Sequence, residues 1–291
     1  MSINFKPLNT AVGLAAEVSG VDLSQPMAYE DFLPIRDGLD EYGVLVFHDQ
    51  DLDDDSQIAF SRHFGPLESS IRRHRPRSVA SAEISDISNV APDGSIFPID
   101  GEHMSYNLGN QLWHSDSSFK ATPALASLLY AREVVPEGGG TEFADQRGAW
   151  DGLTPDMQGR IDGMVARHSL AHSRAAMGYD ADQEFMDVEK AEVPPVPQAL
   201  VQTNARTGRR ALYAGAHVFC IDGLERQESD DLLAELREQA TQPGLQYHHQ
   251  WQVGDLVIWD NRATLHRGQP FDNSHRRVMR RTTVAGDGPT A

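Results

Sequence analysis

The stretch GDLVIWDNRATLHRG (254–268) joins an apolar run, a polar break and a second short run that ends in histidine and arginine. The letters LVIW combine β-branched and aromatic residues, which is typical of a buried strand. Asp260 and Asn261 follow directly, and both residue types favour turns because their side chains bond to nearby backbone groups. The stretch therefore predicts a strand, a turn and a second strand that carries His266.

Short strands and separate helices are predicted on either side of this stretch. Strands are expected at VLVF (44–47), ISDISNV (84–90), ALASLLYAREV (124–134) and RRALYAGAHVFCIDG (209–223). Helices are expected at YEDFLPIRDGLDEYG (29–43), LDDDSQIAFSRHFG (52–65), in pieces of 146–163, and at DDLLAELREQATQ (230–242) with Ser229 as the N-cap. This pattern favours an antiparallel sandwich or jelly roll over regular βαβ alternation.

Two polar, irregular segments interrupt the predicted elements, at 66–110 and 172–198. Long connections of this kind are usually functional or mobile, so we expect both to be lid or insert segments of a single domain spanning 1–291. The run RRHRPR (72–77) lies in the first segment. It is interpreted either as a solvated loop or as a closing element over an anion.

Composition excludes several classes of partner and site. The net charge of −18 disfavours nucleic acid and anionic membranes as partners. No apolar run approaches the roughly 20 residues that span a bilayer, and the N-terminus lacks the layout of a signal peptide, so we expect a cytoplasmic protein. Because Cys220 is the only cysteine, an intrachain disulfide and a thiolate-rich metal site are excluded. A metal would need His, Asp or Glu ligands.

The stretch QLWHSDSSF (111–119) supplies two such residues. In a strand, His114 and Asp116 would point to the same side, because side chains alternate across a strand. A surface pair or a half-buried hydrogen-bonded pair is the alternative interpretation, unless a third ligand joins them. Two histidines and one carboxylate on one side of a metal are typical of non-haem Fe(II) oxygenases. His266 is a candidate third ligand, but spacing alone does not select it from twelve histidines.

The chain resembles the TauD/TfdA group of Fe(II)- and 2-oxoglutarate-dependent dioxygenases over nearly its whole length. The matching segments follow the family's order and spacing, and they are AEVSGVDLS, VLVFHDQDL, FGPLE, WHSDSSF, GGGTEFAD, GDLVIWDNRATLHRG and RRVMRRTT. DISNV, NQLWHSDSSF and GAH look most like the 2,4-dichlorophenoxyacetate dioxygenases of this group. Taurine dioxygenases keep the metal triad with different neighbours.

The resemblance implies a role for each matching residue. It makes His114, Asp116 and His266 the iron ligands. It assigns Thr141 and Arg277 to the far carboxylate of 2-oxoglutarate, and Arg281 to the anionic group of the primary substrate. A guanidinium presents a planar fork of donors that matches a carboxylate, which supports this division.

Several neighbouring residues keep simpler interpretations. If RRVMRRTT (276–283) is a strand, Arg277 and Arg281 share one face and Arg276 and Arg280 the other, but alternation alone does not say which pair faces inward. Given the roles that the resemblance implies for Arg277 and Arg281, we expect Arg276 and Arg280 on the solvated face. His217 either lines the substrate pocket or is a core histidine bonded to backbone. Trp113 and Trp259 are expected in core packing.

The resemblance also implies a fold and a reaction. We expect an α+β, mainly β protein built as a double-stranded β-helix (jelly roll) with flanking helices and lid loops. Its cofactor and cosubstrates would be Fe(II), 2-oxoglutarate and O₂. A small anionic aromatic substrate, a phenoxyacetate, would give a phenol and glyoxylate together with succinate and CO₂. The alternatives are a sulfonate or alkyl sulfate substrate with the same cofactors, or a non-catalytic metal-binding jelly roll. We also expect a homo-oligomer.

Overall fold

A computed structural model describes residues 3–9, 13–71, 73, 78–99, 101, 104, 107–178 and 185–291 of the chain. Within these residues the protein is mainly β. The strands, β1 to β15 in chain order, are Asn4–Asn9, Leu14–Ser19, Val44–Phe47, Ile84–Asp86, Ala124–Glu133, Thr141–Asp145, Val165–His168, Val196–Ala199, Val201–Thr203, Arg210–Leu212, Val218–Ile221, Gln246–His249, Leu256–Asp260, Thr264–Gly268 and Val278–Ala285. The α-helices, α1 to α7, are Tyr29–Tyr42, Asp54–Ser61, Gln146–Asp151, Pro155–Ile161, Leu170–Ala175, Asp187–Glu192 and Arg226–Ala240.

The predicted strand, turn and strand of 254–268 is confirmed as β13 and β14. Strand β13 lies in the middle of a seven-stranded sheet with the order β1-β2-β3-β13-β5-β15-β4. Its neighbours β3 and β5 both pair with it in antiparallel fashion. All five residues of β13 are buried, because the sheet is covered on both faces.

Helices α1 and α2 cover one face of this sheet. Phe32, Ile35 and Leu39 of α1 and Phe60 of α2 pack into the same buried cluster as the strand residue Ile258. The end of α1 agrees with the prediction, since Gly43 has φ 70°, a left-handed conformation that glycine adopts without steric cost. Helix α2 begins after Asp53, whose side chain accepts a hydrogen bond from the Ser56 amide.

A three-stranded sheet, β12-β6-β14, faces the opposite side. Phe143 of β6 packs against Trp259 of β13, with ring centroids 5.6 Å apart. Both side chains are fully buried in one cluster together with Met279 of β15. The two sheets thereby bring β14, which carries His266, next to the C-terminal strand that carries the arginines.

Three local predictions need correction. Ser229 does not cap the last helix, because α7 begins at Arg226 and the buried Ser229 hydroxyl instead accepts from the Ile221 amide at 2.9 Å. The stretch 209–223 forms two strands, β10 and β11, separated by residues 213–217. The stretch 84–90 is a strand only over Ile84–Asp86, followed by an isolated bridge from Val90 to Ile96.

No helix in the described residues combines the length and the apolar character that crossing a membrane requires.

Candidate active site

His114 and His266 meet across an isolated antiparallel bridge. The His114 amide donates to the His266 carbonyl at 3.0 Å, and the His266 amide donates to the His114 carbonyl at 2.8 Å. The assumption that 111–119 is a strand is wrong, because His114 forms only an isolated bridge, Gln111 ends a short 3-10 helix and residues 116–119 form a turn. Asp116 nevertheless reaches the same place as His114, so the turn and not strand alternation brings the two side chains together.

The three side chains form one compact group. The Nε2 atom of His114 lies 3.8 Å from Oδ1 of Asp116, and Nε2 of His266 lies 3.6 Å from Oδ2 of the same carboxylate. One ligand atom from each residue lies within 4.8 Å of the others, and all three residues are buried. Among the described residues, this is the group of histidine and acidic side chains that can hold a metal ion.

The protonation states of the triad suit a divalent cation. Burial lowers the pKa of His114 and lowers that of His266 well below its usual range, so both imidazoles are neutral and could act as metal ligands. Burial alone would raise the pKa of Asp116, but the charges of Arg281, His266 and His114 hold it well below its usual range. The His114 Nδ1 donates to the Leu112 carbonyl at 2.7 Å, which leaves Nε2 as the free ligand atom. Two nitrogens and one carboxylate oxygen fit Fe(II).

Asn261 has a role that the sequence did not reveal. It is fully buried, and its Oδ1 accepts from the Asp116 amide at 3.0 Å and from the Trp259 indole at 3.1 Å. Its Nδ2 donates to the Ser127 hydroxyl at 2.9 Å, and that hydroxyl donates to Oδ2 of Asp116 at 2.7 Å. Asn261 thus orients both the backbone and the carboxylate of Asp116. In the sequence Asn261 looks like an ordinary turn asparagine. Its full burial beside the triad, which reveals this role, is visible only in the structure.

A residue of the first irregular segment, Glu68, stabilises the turn after Asp116. Ser117 has φ 54°, an uncommon left-handed conformation for a residue other than glycine. Its hydroxyl donates to the Glu68 carboxylate at 2.7 Å, and Lys120 pairs with the same carboxylate oxygen. Glu68 therefore connects segment 66–110 to the turn that carries Asp116.

Two cavities meet at the triad. The first, here the His114 cavity, is lined by His114, Asp116, Phe119, Arg174 and His217 among others. The second, here the Arg277 cavity, has lining residues that include Leu129, Thr141, Trp259, His266 and Arg277. Arg281 lines both cavities. The arrangement provides two binding spaces, one lined by His114 and Asp116 and the other by His266.

Arg277 is a buried cation at the end of the Arg277 cavity. Its guanidinium donates to the Gly139 carbonyl at 3.1 Å, and in the described part of the chain no acidic side chain pairs with it. Burial lowers the pKa of Arg277 to about 10, so the side chain remains charged at neutral pH. A buried charge without a counter-ion is costly, and an anionic ligand would satisfy it.

Thr141 lies in the same cavity and is the first residue of β6, directly after the glycine turn. Its hydroxyl accepts a hydrogen bond from the Trp251 indole at 3.0 Å. Arg277 directly precedes β15, whereas Thr141 begins β6 of the other sheet, and the two residues line one cavity.

The other arginines of the C-terminal run have distinct partners. Arg281 donates to Oδ1 of Asp116 at 2.6 Å. Arg276 is exposed and pairs with Glu133, as expected for a solvated face. The same expectation is wrong for Arg280, which is buried and paired with Asp86 of the neighbouring strand β4. Asp86 lies directly opposite Arg280 in the pairing of β4 with β15. Helix α2 covers that face of β15, where the Ser61 and Thr282 hydroxyls share a hydrogen bond at 2.6 Å.

His217 and the two tryptophans have the surroundings expected for pocket and core residues. His217 is buried, shares a hydrogen bond with the Ser173 hydroxyl at 3.0 Å, and contacts Phe119 edge to face at 4.9 Å between centroids. Trp259 is core packing and also lines the Arg277 cavity. Trp113 is partly buried and lies beneath the Arg267 guanidinium.

The two irregular segments meet beside the His114 cavity. Arg73 of the first forms two hydrogen bonds with the Glu192 carboxylate of the second, at 2.8 and 2.5 Å. The Arg174 guanidinium lies so close to Gly109 that a Cβ there would be 1.5 Å from Nη1, so a larger residue at this position would require the arginine side chain to move. Within RRHRPR, residues 72 and 74–77 lie outside the described residues, as do 179–184.

Comparison with known proteins gives consistent matches. The family model "Taurine catabolism dioxygenase TauD, TfdA family" matches residues 4–283. The chain is 44% identical over 289 residues to the alpha-ketoglutarate-dependent 2,4-dichlorophenoxyacetate dioxygenase of Cupriavidus pinatubonensis, covering 99% of each chain. It is 39% identical over 291 residues to the (S)-phenoxypropionate/alpha-ketoglutarate-dioxygenase of Sphingobium herbicidovorans, covering 98% of this chain and 96% of the relative. A crystal structure of AAD-2 with Mn(II) and N-oxalylglycine superposes with a TM-score of 0.93, at 42% identity and full coverage of both chains.

Proposed function

The chain belongs to the TauD/TfdA family of dioxygenases, and from this premise we propose that it hydroxylates a phenoxyacetate-type substrate using Fe(II), 2-oxoglutarate and O₂. Hydroxylation of the carbon next to the ether oxygen gives a hemiacetal, which breaks down to a phenol and glyoxylate. The iron, when bound with 2-oxoglutarate and O₂, supplies the oxidising chemistry, and the cosubstrate leaves as succinate and CO₂.

One observation carries the proposal. Arg277 is a buried guanidinium without an acidic partner in the described residues, and it lines the cavity that His266 also lines. A ligand that fits must present a carboxylate to Arg277 and Thr141 while its other end reaches the triad. 2-Oxoglutarate has a carboxylate at each end, so it meets both requirements. His114, Asp116 and His266 would hold the iron.

The primary substrate would occupy the His114 cavity. Its carboxylate would meet Arg281, which lies at the junction of the two cavities. Its ring would lie against the apolar part of the wall, where Ile71, Phe119 and Leu170 form one buried cluster. These side chains bind and orient the substrate and exclude water from the carbon that reacts.

The finer features of the architecture form part of the same proposal. The two facing sheets would be the two halves of a double-stranded β-helix jelly roll in one domain. Segments 66–110 and 172–198 would act as lids, because Ile71 and Arg174 from these segments line the His114 cavity. A homo-oligomer and a cytoplasmic location stay predictions.

A panel of substrates tests the proposed function. The protein is mixed with Fe(II) and 2-oxoglutarate without oxygen, and we expect the visible charge-transfer band of a chelated 2-oxo acid. Oxygen is then admitted with phenoxyacetates, alkyl sulfates or sulfonates, and succinate is measured. The expected result is succinate formation stimulated most by phenoxyacetates, with release of the corresponding phenol.

The other outcomes separate the alternatives. Stimulation by a sulfonate or an alkyl sulfate alone would retain the cofactors and change the substrate, since Arg281 suits either anion. A protein that binds the metal but develops no band and forms no succinate would be a non-catalytic metal-binding protein.

Replacing Arg281 by glutamine is expected to affect the primary substrate and not the cosubstrate. Glutamine keeps a donor for Asp116 but removes the charge that attracts the substrate anion. Because the Arg281 side chain is 20% exposed and already bonded to Asp116, we expect a moderate rise in phenoxyacetate KM, about 10- to 30-fold. The anaerobic band should persist. If the variant lost the band but kept its substrate affinity, the roles of Arg277 and Arg281 would have to be exchanged.

A further inference from the structure

Trp251 donates a hydrogen bond to Thr141, which lines the Arg277 cavity. The proposed function does not use this contact. We propose that Trp251 is a positioning residue that directs the Thr141 hydroxyl proton toward the far carboxylate of 2-oxoglutarate. The inference rests on the proposed function, because it needs a carboxylate between Thr141 and Arg277.

The direction of the Trp251–Thr141 hydrogen bond follows from its chemistry. The indole Nε1 carries a hydrogen and has no acceptor lone pair, so at 3.0 Å from Oγ1 it must donate to the threonine oxygen. A hydroxyl has one proton to donate, and here that proton cannot point at Trp251. Among the described residues the Thr141 hydroxyl forms no other hydrogen bond. The proton is therefore free for a ligand in the Arg277 cavity, which Thr141 lines.

The indole itself is held by a chain of polar side chains that is buried except at His48. His249 contacts the Trp251 ring edge to face, with centroids 4.6 Å apart and planes at 87°. His249 donates through Nε2 to Oδ2 of Asp255 at 3.1 Å, and His48 donates through Nδ1 to Oδ1 at 2.6 Å. Asp255 is fully buried and accepts a third hydrogen bond from the Gln252 amide at 2.9 Å. These contacts fix the backbone and side chains on both sides of Trp251.

Strand register places these polar residues beside Thr141 in the wall of the Arg277 cavity. His249, the last residue of β12, pairs directly with Thr141, the first residue of β6. Trp251 follows two residues later and turns its indole back onto Thr141. Thr141 follows three glycines and is buried between β12 and β14, which pair with β6 on its two sides. The Trp251 indole adds the hydrogen bond that sets the direction of the Thr141 hydroxyl.

Binding of 2-oxoglutarate to the Mn(II)-loaded protein, measured by calorimetry, tests the inference. Trp251→Phe keeps an aromatic ring but removes the N–H donor. We expect the Kd for 2-oxoglutarate to rise about 3- to 10-fold, the range for loss of one hydrogen bond's orienting effect. The KM for the primary substrate should change little, since Trp251 does not line the His114 cavity. Trp150→Phe, which changes a tryptophan in a different core cluster, is the matched control and should leave the Kd unchanged.

A double-mutant cycle with Thr141→Val distinguishes loss of the Trp251–Thr141 hydrogen bond from a general disturbance of the structure. Valine has the shape of threonine but no hydroxyl, so in that background Trp251→Phe should cause no further loss of 2-oxoglutarate affinity. With Thr141→Ser, which keeps a hydroxyl, the Trp251→Phe effect should remain.

Two results would overturn the inference: an unchanged Kd in Trp251→Phe, or the same loss with and without the Thr141 hydroxyl. A wild-type protein that does not bind 2-oxoglutarate at all would instead contradict the proposed function. Thermal unfolding of each variant shows whether it is folded at the temperature of the measurement.

Discussion

Alanine in place of His114, Asp116 or His266 is expected to abolish turnover while the protein remains folded. Each substitution removes one of three protein ligands from a site whose donor atoms lie within 4.8 Å of one another. Metal binding of about 10–16 kcal/mol in a four-ligand protein site corresponds to roughly 3 kcal/mol per ligand, so metal affinity should fall by about 100-fold or more. Metal content is measured after equilibration with limiting Fe(II), and turnover is measured as succinate formation.

His275→Ala is the matched control for the two histidine variants. Its imidazole is 52% exposed, and its acidic neighbour Asp272 is also on the surface. Metal content and turnover should therefore match those of the unaltered protein. A folded and fully active His266→Ala variant would show that the third ligand has been assigned wrongly.

Arg277→Ala should raise the 2-oxoglutarate concentration needed for half-maximal activity by about 30-fold to several thousand-fold. The range follows from the roughly 2–5 kcal/mol lost when one partner of a buried, hydrogen-bonded ion pair is removed. The effect should exceed that of Arg281→Gln, because Arg277 is more deeply buried and has no acidic side chain among the described residues to share its charge. The measurement is the KM for 2-oxoglutarate and the Kd in the Mn(II)-loaded protein.

Arg276→Ala provides a control from the adjacent position. Arg276 pairs with Glu133 on the surface, and its removal should leave 2-oxoglutarate binding unchanged. A second test uses 2-oxo acids that lack the far carboxylate. The unaltered protein should strongly prefer 2-oxoglutarate to them, and Arg277→Ala should lose most of that preference. If it kept the preference, Arg277 would not be the residue that contacts this carboxylate.

Local patterns in the sequence predicted best the helices and strands that are bounded by turn or capping residues. The first helix ends at Gly43 because glycine accepts the left-handed conformation there, and that information is contained in the single residue. The residue types likewise predicted the strand and the turn around Asp260. Ser229 was misassigned because a serine before an acidic and apolar run resembles a cap, whereas the helix begins three residues earlier and buries it.

The sequence by itself also determined the chemistry of this protein, since the side chains of His114, Asp116, His266 and Arg277 restrict which metal and which anion can bind. Which atoms meet was decided only by the tertiary structure. Asp116 reaches the triad through a turn, Arg280 is buried in an ion pair with Asp86 of β4, and Asn261 and Trp251 orient their partners across strands far apart in sequence. Residue types carry charge and donor capacity, but direction and burial arise from packing between distant segments, which no local pattern specifies.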